Sequence, residues 1–228
     1  MAEPYETYLH EDILLLAFRG KGRADARSLH PYALGGAVLA ELLLHDRVVI
    51  EPGRWYQRVR VLSPTQVGEP ILDRGLERMR AARRRSAPAT WVGRLARVAN
   101  SGTVARGLHR RGVLRIESRR YLLMFTLAAY PERDSEIARR PVETLREVIF
   151  DGQPADERTR ALTALAWHAD LLEPVFGKDE IRRQRERLKE LTDGQPAGDA
   201  TRTALRLKRL AIAIGAAGGV IIAGLIGG

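Results

Sequence analysis

The sequence predicts a mainly α-helical fold, a single globular helical bundle around an apolar C-terminal helix with two small β-hairpins. Apolar residues recur at helical spacing over long stretches such as 32–45. Two pairs of short apolar runs, over 48–62 and 113–127, have the length and spacing of hairpin strands. The chain is uncharged from residue 210 to residue 228. We therefore expect one domain over residues 1–228, with 199–228 as its apolar C-terminal helix.

The N-terminal half is expected to alternate helices with the first hairpin. In order, the patterns predict a short helix that becomes an apolar strand over 8–18, a charged loop over 19–27, a buried helix over 32–45, a hairpin over 48–62, an amphipathic helix over 71–85 and a further helix over 91–111. Thr90 is in position to cap the last of these helices. The Asn-Ser-Gly stretch at 100–102 either bends that helix or splits it in two.

The C-terminal half is expected to contain the second hairpin and the remaining helices. In order, the patterns predict strands at 113–116 and 121–127 around a turn at 117–120, a helix over 135–150 that Pro141 restarts, a helix over 157–176 and a basic amphipathic helix over 179–192. Residues 210–228 are also long enough to cross a bilayer, and Arg206, Lys208 and Arg209 precede them as a positive flank. Both a core helix and a tail anchor fit this pattern.

The composition indicates a partner that carries negative charge. The formal net charge is +10, and only Lys21, Lys178, Lys189 and Lys208 among the 38 basic residues are lysines. A chain this basic is drawn to nucleic acid or to the anionic face of a membrane. The arginine, alanine and leucine content is typical of a GC-rich bacterial genome. Without cysteine, and with a polar start at residues 1–8 unlike a signal peptide, we expect a cytoplasmic protein.

No motif in the sequence predicts catalysis. His168 lies near Asp170 and Glu173, but the other histidines (10, 30, 45 and 109) show no metal-ligand spacing. No Ser/His/Asp order, glycine-rich phosphate loop or paired-carboxylate motif stands out. We therefore expect no catalytic residue, no metal and no cofactor, and we expect His168 to pack beside Trp167.

Three segments together resemble the Golgi phosphoprotein 3 family. They are Gly35-Gly-Ala-Val-Leu-Ala-Glu-Leu with Arg47-Val-Val-Ile-Glu51, Arg111-Gly-Val-Leu114 with the hairpin that follows, and Leu165-Ala-Trp-His-Ala-Asp-Leu-Leu-Glu173. Members of that family are helical proteins that dock on membranes by binding a phosphoinositide headgroup. The resemblance implies a membrane adaptor or scaffold that is not an enzyme. It also favours the core position for the apolar C-terminal helix.

The headgroup site of those relatives is not retained in this sequence. The relatives use a loop tryptophan, an arginine that begins the following helix, and two arginines one turn apart on a later helix. Ungapped matching places these at Ala26, Gly35, Val98 and Ser101. Four nearby arginines are candidate replacements: Arg23 and Arg27 in the loop, and Arg94 and Arg97 on the helix. We therefore expect a general anionic phospholipid as the partner, bound peripherally on the inner face of the membrane.

The second hairpin is a further candidate contact. With its turn at 117–120, Arg119, Arg120 and Tyr121 would place cations and an aromatic ring at the membrane boundary. The resemblance implies that the hairpin over 113–127 serves membrane contact or self-association, so a homo-oligomer is expected there. The alternative function is nucleic-acid binding by a winged-helix module, with a recognition helix over 94–111 and a wing over 113–127.

Overall fold

The computed structural model describes residues 7–19, 31–51, 57–115, 117–121, 125–129 and 135–193. Within these ranges the chain forms ten helices and two antiparallel two-stranded hairpins, which confirms the mainly α fold. The predicted apolar helix over 199–228 lies outside the described residues, and so does the choice between a core helix and a tail anchor. No helix in the described ranges is both long enough and apolar enough to span a membrane.

The described residues form fourteen elements in chain order. They are α1 (Leu9–Arg19), α2 (Pro31–Leu44), β1 (Val48–Glu51), β2 (Arg58–Val61), α3 (Pro70–Arg80), α4 (Pro88–Ala96), α5 (Ser101–Arg110), β3 (Glu117–Tyr121), β4 (Phe125–Ala129), α6 (Ser135–Ile149), α7 (Glu157–His168), α8 (Leu172–Phe176), α9 (Lys178–Arg183) and α10 (Arg185–Asp193).

Helix α2 lies at the centre of the described fold. Every residue from 33 to 43 is buried, because α1, α3, α4 and α7 all pack against this helix. A helix that is apolar on all sides is stable in water only when neighbours cover it completely. Gly35 permits the closest of these contacts. A Cβ atom at this position would lie only 2.7 Å from the backbone nitrogen of Ala96 on α4 and even closer to the carbonyl oxygen of Val92.

Three predictions in the N-terminal half were wrong in detail. The stretch 14–18 is helical rather than a strand, because α1 continues to Arg19. Helix α3 ends at Arg80, so the arginines at 83–85 lie in the following turn. Thr90 lies inside α4, and Ala87 occupies the N-cap position without a side-chain hydrogen bond. The hairpin over 48–62 is confirmed, with Val48 opposite Val61.

The predicted helix over 91–111 is split. Helix α4 ends at Ala96, and α5 begins at Ser101 after a side-chain cap. The Asn100 carboxamide oxygen accepts a hydrogen bond from the Thr103 backbone N–H at 3.0 Å. That hydrogen bond satisfies a backbone donor at the start of α5, so asparagine stabilises a new helix start here.

The second hairpin forms later in the chain than predicted. Glu117 pairs with Ala129 and Tyr121 with Phe125, so the segment 117–120 belongs to a strand and not to the turn. The sequence from 117 to 129 contains no glycine, proline, asparagine or aspartate that would mark a reversal. The hairpin itself is confirmed, but the predicted position of its tip was wrong.

The predicted helix over 157–176 is also interrupted. It divides into α7 and α8, and Asp170 between them adopts a left-handed conformation with φ of 54°. The basic segment likewise divides into α9 and α10 at Gln184. Pro141 is accommodated inside α6 rather than in a first turn.

Candidate anion-binding surface

Four arginines surround a pocket on the surface formed by β2, α3 and α4. The pocket has a volume of about 340 Å³. Its arginines are Arg60, Arg80, Arg84 and Arg85, and its other lining residues are Val59, Val61, Met79, Ala82 and Trp91. We call this feature the arginine pocket. No local sequence pattern links these four arginines, since Arg60 and Arg80 are distant from each other along the chain.

The turn between α3 and α4 brings these arginines together. After the C-terminal end of α3 at Arg80, the chain crosses beside β2, where the Val59 N–H donates to the Ser86 carbonyl oxygen at 3.0 Å. This backbone hydrogen bond holds the turn against the strand. Arg84 and Arg85 on the turn therefore lie beside Arg60 on β2.

The arginine pocket carries more positive than negative charge. Glu51 on β1 is the acidic partner of two of these arginines. The Glu51 carboxylate lies 2.6 Å from Nε of Arg60 and 3.5 Å from Nη1 of Arg85. Neither Arg80 nor Arg84 has a carboxylate partner among the residues that the structure describes. One carboxylate against four guanidinium groups leaves a net positive potential that favours an anion.

Arg94 borders the arginine pocket, whereas Arg97 lies farther along the same helix. The Arg94 guanidinium lies over the Trp91 ring at 4.9 Å from its centroid, and Nη1 donates to the Ser86 hydroxyl at 3.3 Å. Arg97 occupies the C-cap of α4 and is exposed. The two predicted arginines are thus both accessible. The two predicted loop arginines, Arg23 and Arg27, lie outside the described residues.

The hairpin candidates are placed differently from the prediction. Arg119 and Arg120 lie within β3, opposite Leu127 and Thr126, and so are not at a turn. Tyr121 is the last residue of β3 and pairs with Phe125, the first residue of β4. The predicted grouping of the three residues at the tip was therefore wrong, because the strand continues through the position assigned to the turn.

The positions matched to the relatives' headgroup site are occupied by packing residues. Gly35 is buried at the contact between α2 and α4, and Val98 is buried in the core. Ser101 is the first residue of α5 and is half-buried. Ala26 lies outside the described residues. No cationic side chain is therefore present at positions 35, 98 or 101.

The second basic run, on α9 and α10, is largely used for local ion pairs. Arg182 pairs with Asp179 at 3.8 Å, and Arg183 pairs with Glu180. Arg187 lies 3.4 Å from Glu190 and also donates to the carbonyl oxygens of Val148 and Gln153. Arg187 thus connects α10 to the end of α6 and the turn after it, and all three paired arginines are weaker candidates for an external anion.

A buried polar network near the start of α1 was not found from the sequence. His10, Glu11, Asp12 and Glu41 are all buried. Two arginines from elsewhere in the chain compensate the carboxylates. Arg111 Nη1 lies 2.5 Å from Glu11, while Arg158 contacts Glu41 at 2.6 Å and Asp12 at 3.4 Å. The sequence feature that could have predicted this network is the acidic pair Glu11-Asp12 inside an otherwise apolar helix.

Burial dominates the electrostatics of this network. It raises the pKa of Asp12 to about 6, against the hydrogen bond from Thr7 and the charge of Arg158, and it lowers the pKa of His10 to about 4. Burial also acts to raise the pKa of Glu41, but interactions with His45, Arg158 and the Leu9 N–H together hold that pKa below its usual value. With its carboxylates buried and paired to arginines from later helices, the network is suited to holding helices together.

No group of acidic or histidine side chains in the described residues is arranged to hold a metal ion. His168 is exposed and stacks on Trp167, with ring centroids 5.8 Å apart. It therefore packs beside the tryptophan as expected, although at the surface and not in the core.

The fold and its surface define a class, a mainly helical protein with an open, arginine-lined pocket. Residues 9–207 match a family model described as Golgi phosphoprotein 3 (GPP34). The chain belongs to this family, which confirms the resemblance drawn from the segments around 35–51, 111–125 and 165–173. The match includes α1 to α10 and all the arginines of the arginine pocket.

Proposed function

We propose that this chain is a peripheral membrane protein that binds anionic phospholipid headgroups and acts as an adaptor or scaffold without catalytic activity. The observation that carries the proposal is the collection of exposed arginines on α3, α4 and the turn between them, in a member of the GPP34 family. The charges of Arg80 and Arg84 are not compensated by a carboxylate among the described residues. They are therefore available to an external anion.

Membrane association would begin with Coulombic attraction. Each arginine near an anionic surface contributes about 1 kcal/mol, and this contribution decreases with distance over a Debye length of about 8 Å at physiological salt. Several arginines on one surface therefore produce useful affinity only when they approach the membrane together. The exposed arginines at 80, 84, 94 and 97 meet that requirement better than the paired arginines of α9.

Nucleic-acid binding is the alternative, and one observation weighs against its winged-helix form. The recognition helix that it requires over 94–111 is interrupted between Ala96 and Ser101. The arginines at 94 and 97 therefore lie on a different helix from Arg106 and Arg110. A continuous basic helix for a DNA groove is not formed.

Vesicle co-sedimentation tests the proposal. The full chain is mixed with vesicles of phosphatidylcholine alone, or with phosphatidylcholine and phosphatidylglycerol in equal parts, at low and high salt. We expect binding only to the anionic vesicles, and we expect salt to weaken it. The double substitution Arg94→Glu with Arg97→Glu should reduce binding on the order of tenfold, since it reverses two charges on this surface.

Two results would contradict the proposal. If the wild-type chain ignores phosphatidylglycerol at low salt, the membrane function is wrong. If duplex DNA displaces the chain from vesicles at low concentration and binds it with a steep salt dependence, the nucleic-acid alternative replaces it. Vesicles that contain a phosphoinositide form a third arm, which asks whether that headgroup is preferred over phosphatidylglycerol.

A further inference from the structure

We propose that the arginine pocket is the headgroup site, with Arg80, Arg84 and Arg60 binding the lipid phosphate and Leu62 contacting the bilayer surface. The inference rests on the proposed membrane function and assigns it to particular residues. The chemistry recognised is a phosphate ester next to an apolar phase.

Two of the pocket's arginines are held in position before any ligand arrives. Glu51 contacts Arg60 through Nε and Arg85 through Nη1, so one carboxylate orients two guanidinium groups. Each guanidinium has five N–H donors, and these contacts leave several of them unused. Because Arg60 is already held by Glu51, less side-chain entropy is lost when it binds an anion.

Arg80 and Arg84 supply the charge that Glu51 does not compensate. Arg80 ends α3, where its charge also interacts favourably with the helix dipole, and Arg84 lies on the following turn. Both line the same pocket, so both can reach one anion bound in it. Guanidinium groups bind phosphate oxygens through paired N–H donors, which gives geometric selectivity as well as charge.

The floor of the pocket is apolar. Val59, Met79 and Trp91 line it and are each buried in the core. An apolar wall lowers the local dielectric constant and strengthens the attraction between the arginines and an anion above it. The volume of about 340 Å³ falls at the small end of the range for ligand pockets, which suits a compact headgroup.

Leu62 is the feature that favours a lipid over a soluble phosphate as the partner. It directly follows Val61 of the pocket wall, and the residue is 42% exposed. Its backbone N–H donates to the Arg47 carbonyl oxygen at 2.8 Å, so the residue is held in an extended segment. An exposed leucine one residue from the wall of an arginine-lined pocket suits the boundary between headgroups and acyl chains.

The arginine pocket uses a different part of α4 from the positions matched to the relatives' site. Trp91 lines the pocket, whereas Val92 and Ala96 contact Gly35 on α2. Val98 lies beyond the C-terminal end of the helix. The proposed site is therefore not a rearrangement of side chains around positions 35, 98 and 101.

Matched charge reversals test the assignment. The pocket variant carries Arg80→Glu with Arg84→Glu, and the control carries Arg78→Glu with Arg83→Glu. All four arginines are exposed, and both variants change the net charge equally, but Arg78 and Arg83 do not line the pocket. With equal-part phosphatidylcholine and phosphatidylglycerol vesicles, we expect the pocket variant to bind on the order of tenfold more weakly than the control. Circular dichroism checks that both variants fold.

Conservative variants keep the test decisive if the pocket reversal fails to fold. Arg80→Lys with Arg84→Lys retains the charge but removes the planar donor pairs, so binding should decrease several-fold. Leu62→Ser should weaken vesicle binding and leave binding of soluble glycerol 3-phosphate unchanged. Glycerol 3-phosphate itself should compete only at concentrations well above those of the lipid.

The outcomes separate the two proposals. If the wild-type chain binds anionic vesicles and the pocket and control variants lose binding equally, the arginine pocket is not the site, although the membrane function stands. If the wild-type chain does not bind vesicles, both proposals are wrong. If glycerol 3-phosphate binds as tightly as vesicles and Leu62→Ser changes nothing, the pocket binds a soluble phosphate and the lipid assignment is overturned.

Discussion

His10 shows how strongly burial controls the protonation state of a single residue in this fold. The side chain is completely buried, and neither ring nitrogen makes a hydrogen bond within the described residues. Its ring stacks on Tyr8, with centroids 5.9 Å apart. Nε2 lies 3.7 Å from a Glu69 carboxylate oxygen, but burial lowers the pKa of His10 to about 4. The histidine is therefore neutral at neutral pH, and the contact with Glu69 is not an ion pair there.

The pKa values of His10 and Asp12 predict opposing effects on stability. Because the folded pKa of His10 lies below its usual value of 6.5, the unfolded state binds more protons as the pH falls from 6.5 to about 4, which destabilises the fold. Asp12 acts in the opposite sense. Its folded pKa of about 6 lies above the usual 3.8, so the folded state binds more protons between these values and gains stability.

The variant His10→Phe should separate these effects. It keeps an aromatic ring against Tyr8 and removes both unpaired nitrogens. We expect its free energy of unfolding to rise relative to wild type by on the order of 1–3 kcal/mol between pH 7 and about pH 4.5. Urea unfolding at several pH values measures this difference. A difference that stays constant with pH would show that His10 does not titrate as a buried neutral group.

At the scale of elements, the contact between α2 and α4 depends on one missing side chain. Gly35 lies so close to α4 that a Cβ atom would overlap the backbone of Val92 and Ala96. Backbone atoms inside a helix cannot move aside as a flexible side chain does. The helices must therefore separate before any other residue can occupy this position.

Two glycine substitutions in this helix pair should have opposite effects. We expect Gly35→Ala to lower the free energy of unfolding by about 1–3 kcal/mol, because overpacking forces α2 and α4 apart. Gly93→Ala on α4 is the control, since its Cβ would meet only the Tyr32 ring at an ordinary 3.5 Å. That variant should be neutral or stabilising by up to about 1 kcal/mol. Equal effects in urea unfolding would contradict the close helix contact.

Helices and strands with a clear apolar periodicity could be predicted from the sequence, but the breaks within the predicted elements could not. The buried helix α2 and the hairpin of β1 and β2 follow directly from the pattern of residues 32–62. Helix α1 is buried on every side from residue 9 to residue 18, so no polar face distinguishes its second half from a strand. The break at Asp170 depends on a left-handed backbone at a residue other than glycine, which the sequence does not mark.

At the scale of the whole molecule, Arg158 connects parts of the chain that are distant in sequence. From α7 its guanidinium contacts Glu41 on α2, Asp12 on α1 and the carbonyl oxygen of Thr7. Arg111, after α5, fastens Glu11 in the same region. Buried carboxylates on the two central helices thus depend on charges supplied by later elements, so the N-terminal region completes its pairing only when the rest of the chain has folded.

Removal of the Arg158 charge should destabilise the whole fold. We expect Arg158→Met to lower the free energy of unfolding by about 2–3 kcal/mol, because the buried carboxylates of Glu41 and Asp12 lose their arginine partner. This value is reduced to allow for the partial exposure of the Arg158 side chain. The matched control is Arg160→Met on the same helix. Arg160 donates to the Ala155 carbonyl oxygen, so its loss should lower the free energy of unfolding by less than about 1 kcal/mol. Similar urea midpoints for the two variants would argue against the network.

The candidate site could be predicted only in part, because its residues converge through the tertiary fold. Arg94 was identified by its position on a helix, and it borders the arginine pocket. Arg60 and Arg80 were not identified, since no local pattern links a strand residue to the end of the next helix. The bond between the Val59 N–H and the Ser86 carbonyl oxygen brings them together, and backbone bonds between distant segments leave no trace in composition.

The tight contact at Gly35 also constrains how this chain can evolve. A lineage that once carried a long side chain at this position and lost it could at first regain it through a single mutation. After α4 has closed over the glycine, the same mutation disrupts two helices before it restores any ligand contact. Selection for anion binding would then act on positions that are still free to vary, such as the exposed turn that carries Arg83 and Arg84. The helix contact thus closes position 35 to a long side chain and leaves the exposed turn as the surface that can vary.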